Sequence, residues 1–220
     1  MCGRFTLTVG DIASLAREWA AEVDQALAQG WRPRFNVAPG DRHPVLVAAG
    51  GRRRLISATF GLAGGRPAGA GPLLINARIE TAPTRPTFRL AWRTGRAAVP
   101  ADGFFEWEGP ASARRATWFH LSGHAPMLLA ALVGQAPGGG VGFAVLTCDA
   151  RAPVRALHDR MPVLLSPALL DAWLAGPPPP LPGPAGELVG RPVSPRVNAV
   201  ENDDPLCLEE AAAPRQGWLF

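Results

Sequence analysis

Cys2, Glu106, His158 and Asn76 lie far apart in this chain, and each is of a type that could carry chemistry. Cysteine follows the initiator methionine, and a small second residue ordinarily leads to removal of that methionine. Cys2 then becomes the N-terminus and carries an α-amine and a thiol with reference pKa values of about 8 and about 8.5. Both groups are partly deprotonated near neutral pH and hence nucleophilic. Such a 1,2-aminothiol condenses through its amine with an aldehyde, and its sulfur closes on the imine carbon to give a five-membered thiazolidine. The closure is intramolecular and gains from the high effective molarity of neighbouring groups. Glu106 sits in Phe104-Phe105-Glu106-Trp107, where a strand would put it on one face with Phe104 and leave the other to Phe105 and Trp107. Aromatic surroundings desolvate a carboxylate and raise its pKa towards the range useful for proton transfer. His158, in His158-Asp159-Arg160-Met161-Pro162, is a proton shuttle suited to neutral pH. Asn76 and Arg78 follow the apolar run 73–75, at a strand end. Taken singly each is ordinary: a glutamate on a half-solvated strand, a histidine beside a local ion pair, an asparagine in a turn.

Positioning these groups requires a mostly β scaffold. Residues 11–28 carry Ile12, Leu15, Ala16, Trp19, Val23 and Leu27 on one helical face, with Asp11 as cap and Gly30 as stop, and predict a helix. A second helix is predicted over 166–174, with Ser166 as N-cap, Pro167 in the first turn and Gly176 beyond the end. A shorter helical turn is expected over 153–157. Predicted strands cover 45–48, 55–60, 73–75, 97–99, 104–108, 117–121, 127–133, 143–147 and 163–165. The pair 117–121 and 127–133 flanks Ser122-Gly123-His124-Ala125 and reads as a hairpin. Many short strands with few helices give an α+β class, with antiparallel sheets curled into a barrel-like core and a few flanking helices. One domain is expected over 1–220: a core at about 2–175, a Pro/Gly-rich linker at 177–186, and an extension at 187–220 that packs back through Val193, Val197 and Leu206. Residues 64–72 form a second Gly/Pro-rich loop. His43, His120 and His124 read as surface or hairpin residues with no role.

Composition narrows the function classes. The 220 residues are 47% apolar and 18% charged, as in globular proteins. No run approaches the roughly 20 apolar residues that span a bilayer, and the start lacks an apolar signal core, so no membrane association is expected. Three widely spaced cysteines, Cys2, Cys148 and Cys207, make neither a disulfide framework nor a zinc knuckle, which points to the reducing cytoplasm. No GxGxxG, P-loop, HExxH or GxSxG pattern occurs in a usable context, so neither a nucleotide cofactor nor a metal is expected, and no other cofactor either. All 22 basic residues are arginine, and the net charge is +4. That balance permits a polyanionic partner, and arginine offers planar bidentate donors to phosphate.

The strings Met1-Cys2-Gly3-Arg4-Phe5, Asn36-Val37-Ala38-Pro39, Asn76-Ala77-Arg78-Ile79-Glu80-Thr81, Val99-Pro100-Ala101-Asp102-Gly103-Phe104-Phe105-Glu106-Trp107 and His158-Asp159-Arg160-Met161-Pro162 occur in this order. Together they resemble the SRAP family (SOS response-associated peptidase), abasic-site processing proteins that crosslink to single-stranded DNA. The likeness runs from Cys2 to about Leu165, and more weakly through Val197-Asn198. It implies that Cys2 is the nucleophile towards the ring-opened sugar aldehyde. Asn76 would hold the N-terminus and sugar, Glu106 would manage protons, and His158 would act as acid/base on the sugar hydroxyl. Arg4, Arg78, Thr147 and Arg160 would hold phosphates, and Pro39 and Trp107 would border exposed bases. The resemblance further implies self-removal of Met1, an AP-lyase-like Schiff-base activity, a part in the SOS response to DNA damage, and a cytoplasmic monomer that joins the nucleoid on damage. The residues themselves leave open an N-terminal-nucleophile cysteine peptidase or amidase without DNA, and a non-catalytic nucleic-acid-binding module. The chain departs from the family where Phe60-Gly61-Leu62 leads into a Gly-rich loop in place of a tryptophan-bearing one, and where Gly40 replaces the usual hydroxyl residue after Ala38-Pro39.

Overall fold

The computed structural model describes residues 2–63, 72–176, 178 and 186–211. Chain order gives β1 (Phe5–Leu7), α1 (Ile12–Glu18), β2 (Ala21–Val23), α2 (Gln25–Gly30), β3 (Arg34–Val37), β4 (Arg42–Ala49), β5 (Arg52–Phe60), β6 (Asn76–Arg78), α3 (Arg89–Thr94), β7 (Arg96–Ala101) and β8 (Gly103–Glu108). There follow β9 (Arg115–Leu121), β10 (Met127–Gln135), β11 (Val141–Asp149), β12 (Arg160–Pro162), β13 (Leu164–Leu165), α4 (Leu170–Ala175) and β14 (Leu188–Val193). A five-stranded antiparallel sheet runs β14-β9-β8-β1-β3. A larger sheet runs β12-β11-β10-β7-β4-β5-β2, with β13 on β10 and β6 on β11. In it β5 also meets β11 in parallel, Gly142 opposite Thr59, so the strands β11-β10-β7-β4-β5 curl into a ring. The class is therefore α+β, mostly antiparallel, with few helices. No helix among the described residues is long and apolar enough to cross a membrane.

Strand periodicity explains the layering. Successive side chains on a strand point to opposite faces, and both faces of most strands here are covered. Phe104 and Phe119 of the smaller sheet join Phe60, Val99, Leu129 and Phe143 of the ring in one core. The other face of the ring, through Leu46, Ala98, Leu128 and Leu132, packs against α1 and α4. The other face of the smaller sheet, through Phe105 and Trp118, is covered by Val193, Val197 and Cys207 of the C-terminal extension. Gly103 is required at the start of β8, because a Cβ there would lie 2.0 Å from the Trp118 Nε1.

Several expectations need correction. The helix predicted over 11–28 breaks after Glu18, with Ala20 at φ 48°, and residues of β2 pair in parallel with Arg53, Arg54 and Leu55. A continuous helix would leave that edge of β5 uncovered, whereas Asp24 restarts a helix by accepting from the Ala26 and Leu27 N–H groups. Gly30 closes α2 from inside it. The second predicted helix begins as a 3-10 turn at Pro167–Leu169 before α4, and Ser166 makes no side-chain cap. The strand placed at 73–75 lies at β6, so Asn76 and Arg78 are on the strand, registered against Val145 and Thr147 of β11. Residues 117–121 and 127–133 form no hairpin. Their strands β9 and β10 belong to different sheets, and the turn between them, with Gly123 and His124 at positive φ, hands the chain from one sheet to the other. His43 and His120 are buried. In the extension Val193 and Val197 are buried as expected, but Leu206 is exposed. The loop at 64–72 and the linker at 177–186 fall almost wholly outside the described residues.

Candidate active site

β1 is clamped between β8 and β3, with Phe5 opposite both Phe104 and Val37. The Phe105 N–H donates to the Arg4 carbonyl at 3.0 Å, extending the pairing towards Cys2. The other end of β1 is anchored by Asp102, which accepts from the Thr6 hydroxyl and from the Thr8 N–H and hydroxyl, while the Trp118 Nε1 donates to the Thr6 hydroxyl. These bonds fix where the chain enters the fold.

Cys2 is wholly buried, at 0% exposure. Burial, reinforced by the charge of Glu106, pushes its thiol far above the ordinary range. The Asn76 Nδ2 donates to the Cys2 carbonyl at 3.0 Å. The Asn76 Oδ1 is buried and accepts no hydrogen bond among the described residues. Glu106, 3% exposed on β8, has the neighbours predicted for it, Phe104 on its own face and Phe105 and Trp107 on the other. Burial raises its carboxyl, a rise opposed first by the positive charge of the N-terminal amine and then by His158. His158 ends the turn that leads into β12. Its Nδ1 lies 2.9 Å from the Arg160 N–H and 3.0 Å from the Asp159 carboxylate. The backbone donor is fixed in place while the Asp159 side chain is 83% exposed, so Nδ1 is assigned as the acceptor. The neutral ring then carries its proton on Nε2. Asn76 thus meets Cys2 through a hydrogen bond, and the buried Glu106 carboxyl lies within electrostatic reach of Cys2 and His158.

The residues expected to meet phosphate are placed less uniformly. Arg78 is exposed, with no ion pair among the described residues. Thr147 is fully buried, its hydroxyl 3.5 Å from the Ala77 carbonyl. Arg160 is 6% exposed, and its terminal nitrogens donate to Glu80 at 3.0 and 2.8 Å, to Asp149 at 2.5 Å and to the Thr147 carbonyl at 2.7 Å. In this arrangement Arg160 ties β11 to the segment after β6. The Arg4 Nη1 donates to the Asn36 Oδ1 at 2.8 Å and to the Val197 carbonyl at 3.0 Å.

Next to Cys2 opens a cleft of about 630 Å³ lined by Gly3, Arg4, Ala38, Pro39, Asp41, Trp107, Arg114, Asn198, Val200 and Glu201. It brings together Arg4, Pro39 and Trp107 from three separated motifs. The guanidinium of Arg4 lies 5.7 Å from the Trp107 ring centroid. One wall of the cleft, Asn198, Val200 and Glu201, comes from the C-terminal extension. Asn36 donates to the carbonyls of Val197, Ala199 and Asn202, and Asp203 accepts from the Phe35 and Asn36 N–H groups. Sequence reasoning missed Arg114, Asp41 and Glu201 as lining residues and gave Asn198 no role. The weak Val197-Asn198 motif was the one available signal.

Comparison with known proteins places the chain in a family. Residues 1–200 match the family described as SOS response associated peptidase (SRAP). The abasic site processing protein YedK of Escherichia coli (strain K12) is 32% identical over 182 residues, 79% of each chain. The abasic site processing protein YoaM of Bacillus subtilis (strain 168) is 30% identical over 185 residues, again 79% of each chain. Among solved structures, a protein from Bacteroides thetaiotaomicron superposes with a TM-score of 0.77 at 17% identity, covering 96% of this chain and 100% of that one. A phage-related protein from Bordetella bronchiseptica gives 0.66 at 29% identity, covering 87% and 94%. With the family's match running through Cys2, Asn76, Glu106 and His158 and on to the extension that walls the cleft, the chain belongs to the SOS response associated peptidase (SRAP) family.

Proposed function

We propose that this chain processes abasic sites in single-stranded DNA, capturing the ring-opened sugar aldehyde on Cys2 as a thiazolidine. The observation that carries this reading is the hydrogen bond at 3.0 Å from Asn76 to the carbonyl of the buried Cys2, beside the cleft that Arg4, Pro39 and Trp107 line. The names of the similar proteins, abasic site processing proteins, support the same substrate.

The chemistry follows from the state of each group. Removal of Met1, by the protein itself, frees the Cys2 amine. Opening the sugar takes a proton from the anomeric hydroxyl and delivers one to the ring oxygen, an exchange suited to the His158 Nε2 because Nδ1 is engaged by the Arg160 N–H. The amine forms the new C–N bond and the oxygen leaves as water, protonated by Glu106, which burial holds closer to its acid form. The same burial keeps the sulfur a thiol until the imine exists, so the amine acts first. The C–S bond then forms while the thiol proton passes through the Glu106 carboxylate to the imine nitrogen. Asn76 orients the reacting residue, and its unused Oδ1 is available to a sugar hydroxyl. Arrest at the imine would give the AP-lyase-like side reaction. On this reading residues 1–220 form one domain acting as a cytoplasmic monomer in the SOS response, with neither a cofactor nor a metal.

Incubation of the Met1-processed protein with an abasic oligonucleotide should give a heat-stable shifted band. Cys2→Ala should abolish it and Cys148→Ala should retain it. Undiminished crosslinking by Cys2→Ala would remove Cys2 from the mechanism, and turnover of amide substrates without any DNA adduct would favour an N-terminal-nucleophile amidase.

A further inference from the structure

The cleft beside Cys2 holds two arginines and two carboxylates, and their partners differ. Asp41 is neutralised: it accepts from the Arg34 Nη2 at 2.6 Å and from the Ala38 N–H at 3.0 Å. Arg4 is spent inwardly on Asn36 and Val197, and Glu201 lies within its electrostatic range. Arg114 stands apart. It is exposed, lines the cleft, and has no ion pair among the described residues. By contrast Arg115, the next residue, pairs with Glu108 at 3.0 Å, and Arg196, on the extension that walls the cleft, pairs with Asp204 at 2.6 Å.

The backbone beneath Arg114 is also held in register with the aromatic wall. Asn198 accepts from the Trp107 Nε1 at 2.8 Å through its Oδ1 and donates to the Arg114 carbonyl at 3.1 Å through its Nδ2. One amide therefore spaces an indole face and an uncompensated guanidinium across the same opening. A ring for stacking beside an unpaired cation suits a single strand, in which flat bases alternate with charged phosphates.

Building on the reading of this cleft as a DNA site, we propose that Arg114 is a phosphate-binding residue for the strand next to the lesion, and that Asn198 is the positioning residue that sets it against Trp107. Arg114 supplies the cleft's outward positive charge, a role that the inward-facing Arg4 and the carboxylate-bound Arg160 leave open.

The test uses the full chain and a single-stranded oligonucleotide carrying a tetrahydrofuran abasic analogue, which has no aldehyde and so reports binding without crosslinking. Retention is measured across a salt series. Each phosphate contact on a single strand contributes about 0.7 to the slope of log affinity against log salt. Arg114→Ala should flatten the slope by about that amount and weaken binding roughly tenfold. Arg114→Lys should restore the slope by keeping the charge. Trp107→Leu should weaken binding with the slope unchanged, since stacking releases no counterions. Arg89→Ala removes an equally unpaired charge from α3, on the other sheet, and should leave the slope as it is. An unaltered slope in Arg114→Ala, or equal flattening in Arg89→Ala, overturns the inference while the wild type still crosslinks the natural abasic oligonucleotide. Failure of the wild type to retain either oligonucleotide overturns it together with the reading on which it rests.

Discussion

His43 makes the fold beneath the site sensitive to acid. The residue is 1% exposed on β4, with Phe5 edge-on to its ring at 4.8 Å, so it forms part of the floor under the strand that carries Cys2. Its Nε2 donates to the Pro100 carbonyl at 2.8 Å, and its Nδ1 is buried without a hydrogen bond among the described residues. Protonating Nδ1 would therefore place a charge in the core with nothing to receive the new proton. Burial accordingly lowers its pKa from 6.5 to about 3, with the field of Arg34 adding to the shift and the Pro100 bond and Asp203 opposing it. The unfolded chain takes up this proton as pH falls through about 6.5, the folded chain only near 3. Between those values the unfolded state binds more protons, so stability falls as pH drops. At ~1.4 kcal/mol per unit, the loss between pH 7 and pH 4 is about 3 kcal/mol. His43→Gln keeps a donor for the Pro100 carbonyl and does not titrate. It should cost roughly 1–2 kcal/mol at pH 7 yet lose about 3 kcal/mol less than the wild type on going to pH 4. Urea unfolding followed by tryptophan fluorescence at both pH values reads this difference, and comparing the two proteins cancels the carboxylates common to both. Equal acid losses in wild type and variant would refute the assignment of acid sensitivity to His43.

Two further substitutions separate positioning from packing. Asn76→Ala removes the donor to the Cys2 carbonyl and the unused Oδ1, and should slow single-turnover crosslinking about 10–100-fold with little change in tetrahydrofuran-oligonucleotide retention; a matched fall in retention would mean that Asn76 acts in DNA binding instead. Gly103→Ala puts a Cβ 2.0 Å from the Trp118 Nε1, and should destabilise the protein by about 3 kcal/mol, seen as a lower urea midpoint at unchanged slope; a midpoint within error of wild type would show that Trp118 has room to move.

What could be read in advance depended on whether a residue's role is local. Period-two alternation is local, so the opposite faces of Phe104 and Phe105 on β8, and with them the burial of Glu106, were legible from four consecutive letters. The apolar spacing over 11–28 suited one helix as well as helix-strand-helix, and the choice was made elsewhere, by the open edge of β5 that residues 21–23 cover. Adjacent strands 117–121 and 127–133 suggested a hairpin, yet each pairs with the strand on its other side in sequence, β9 with β8 and β10 with β11, and with one distant strand, β14 or β7. Charge is the least local property of all. Twenty-two arginines and a net +4 describe the whole molecule without saying which guanidinium is free to meet a phosphate. Arg160 has the motif context of a phosphate ligand, yet in the folded chain Glu80 and Asp149 take its donors. Arg114 has no motif around it, yet it lines the cleft with no ion pair among the described residues, while its neighbour Arg115 pairs with Glu108. The availability of each arginine is thus decided by carboxylates brought to it in the folded chain, some from neighbouring turns and some, like Glu80 for Arg160 and Asp203 for Arg34, from distant segments. A strand-binding surface of this kind has to be mapped by substituting arginines one at a time and reading the salt slope of each.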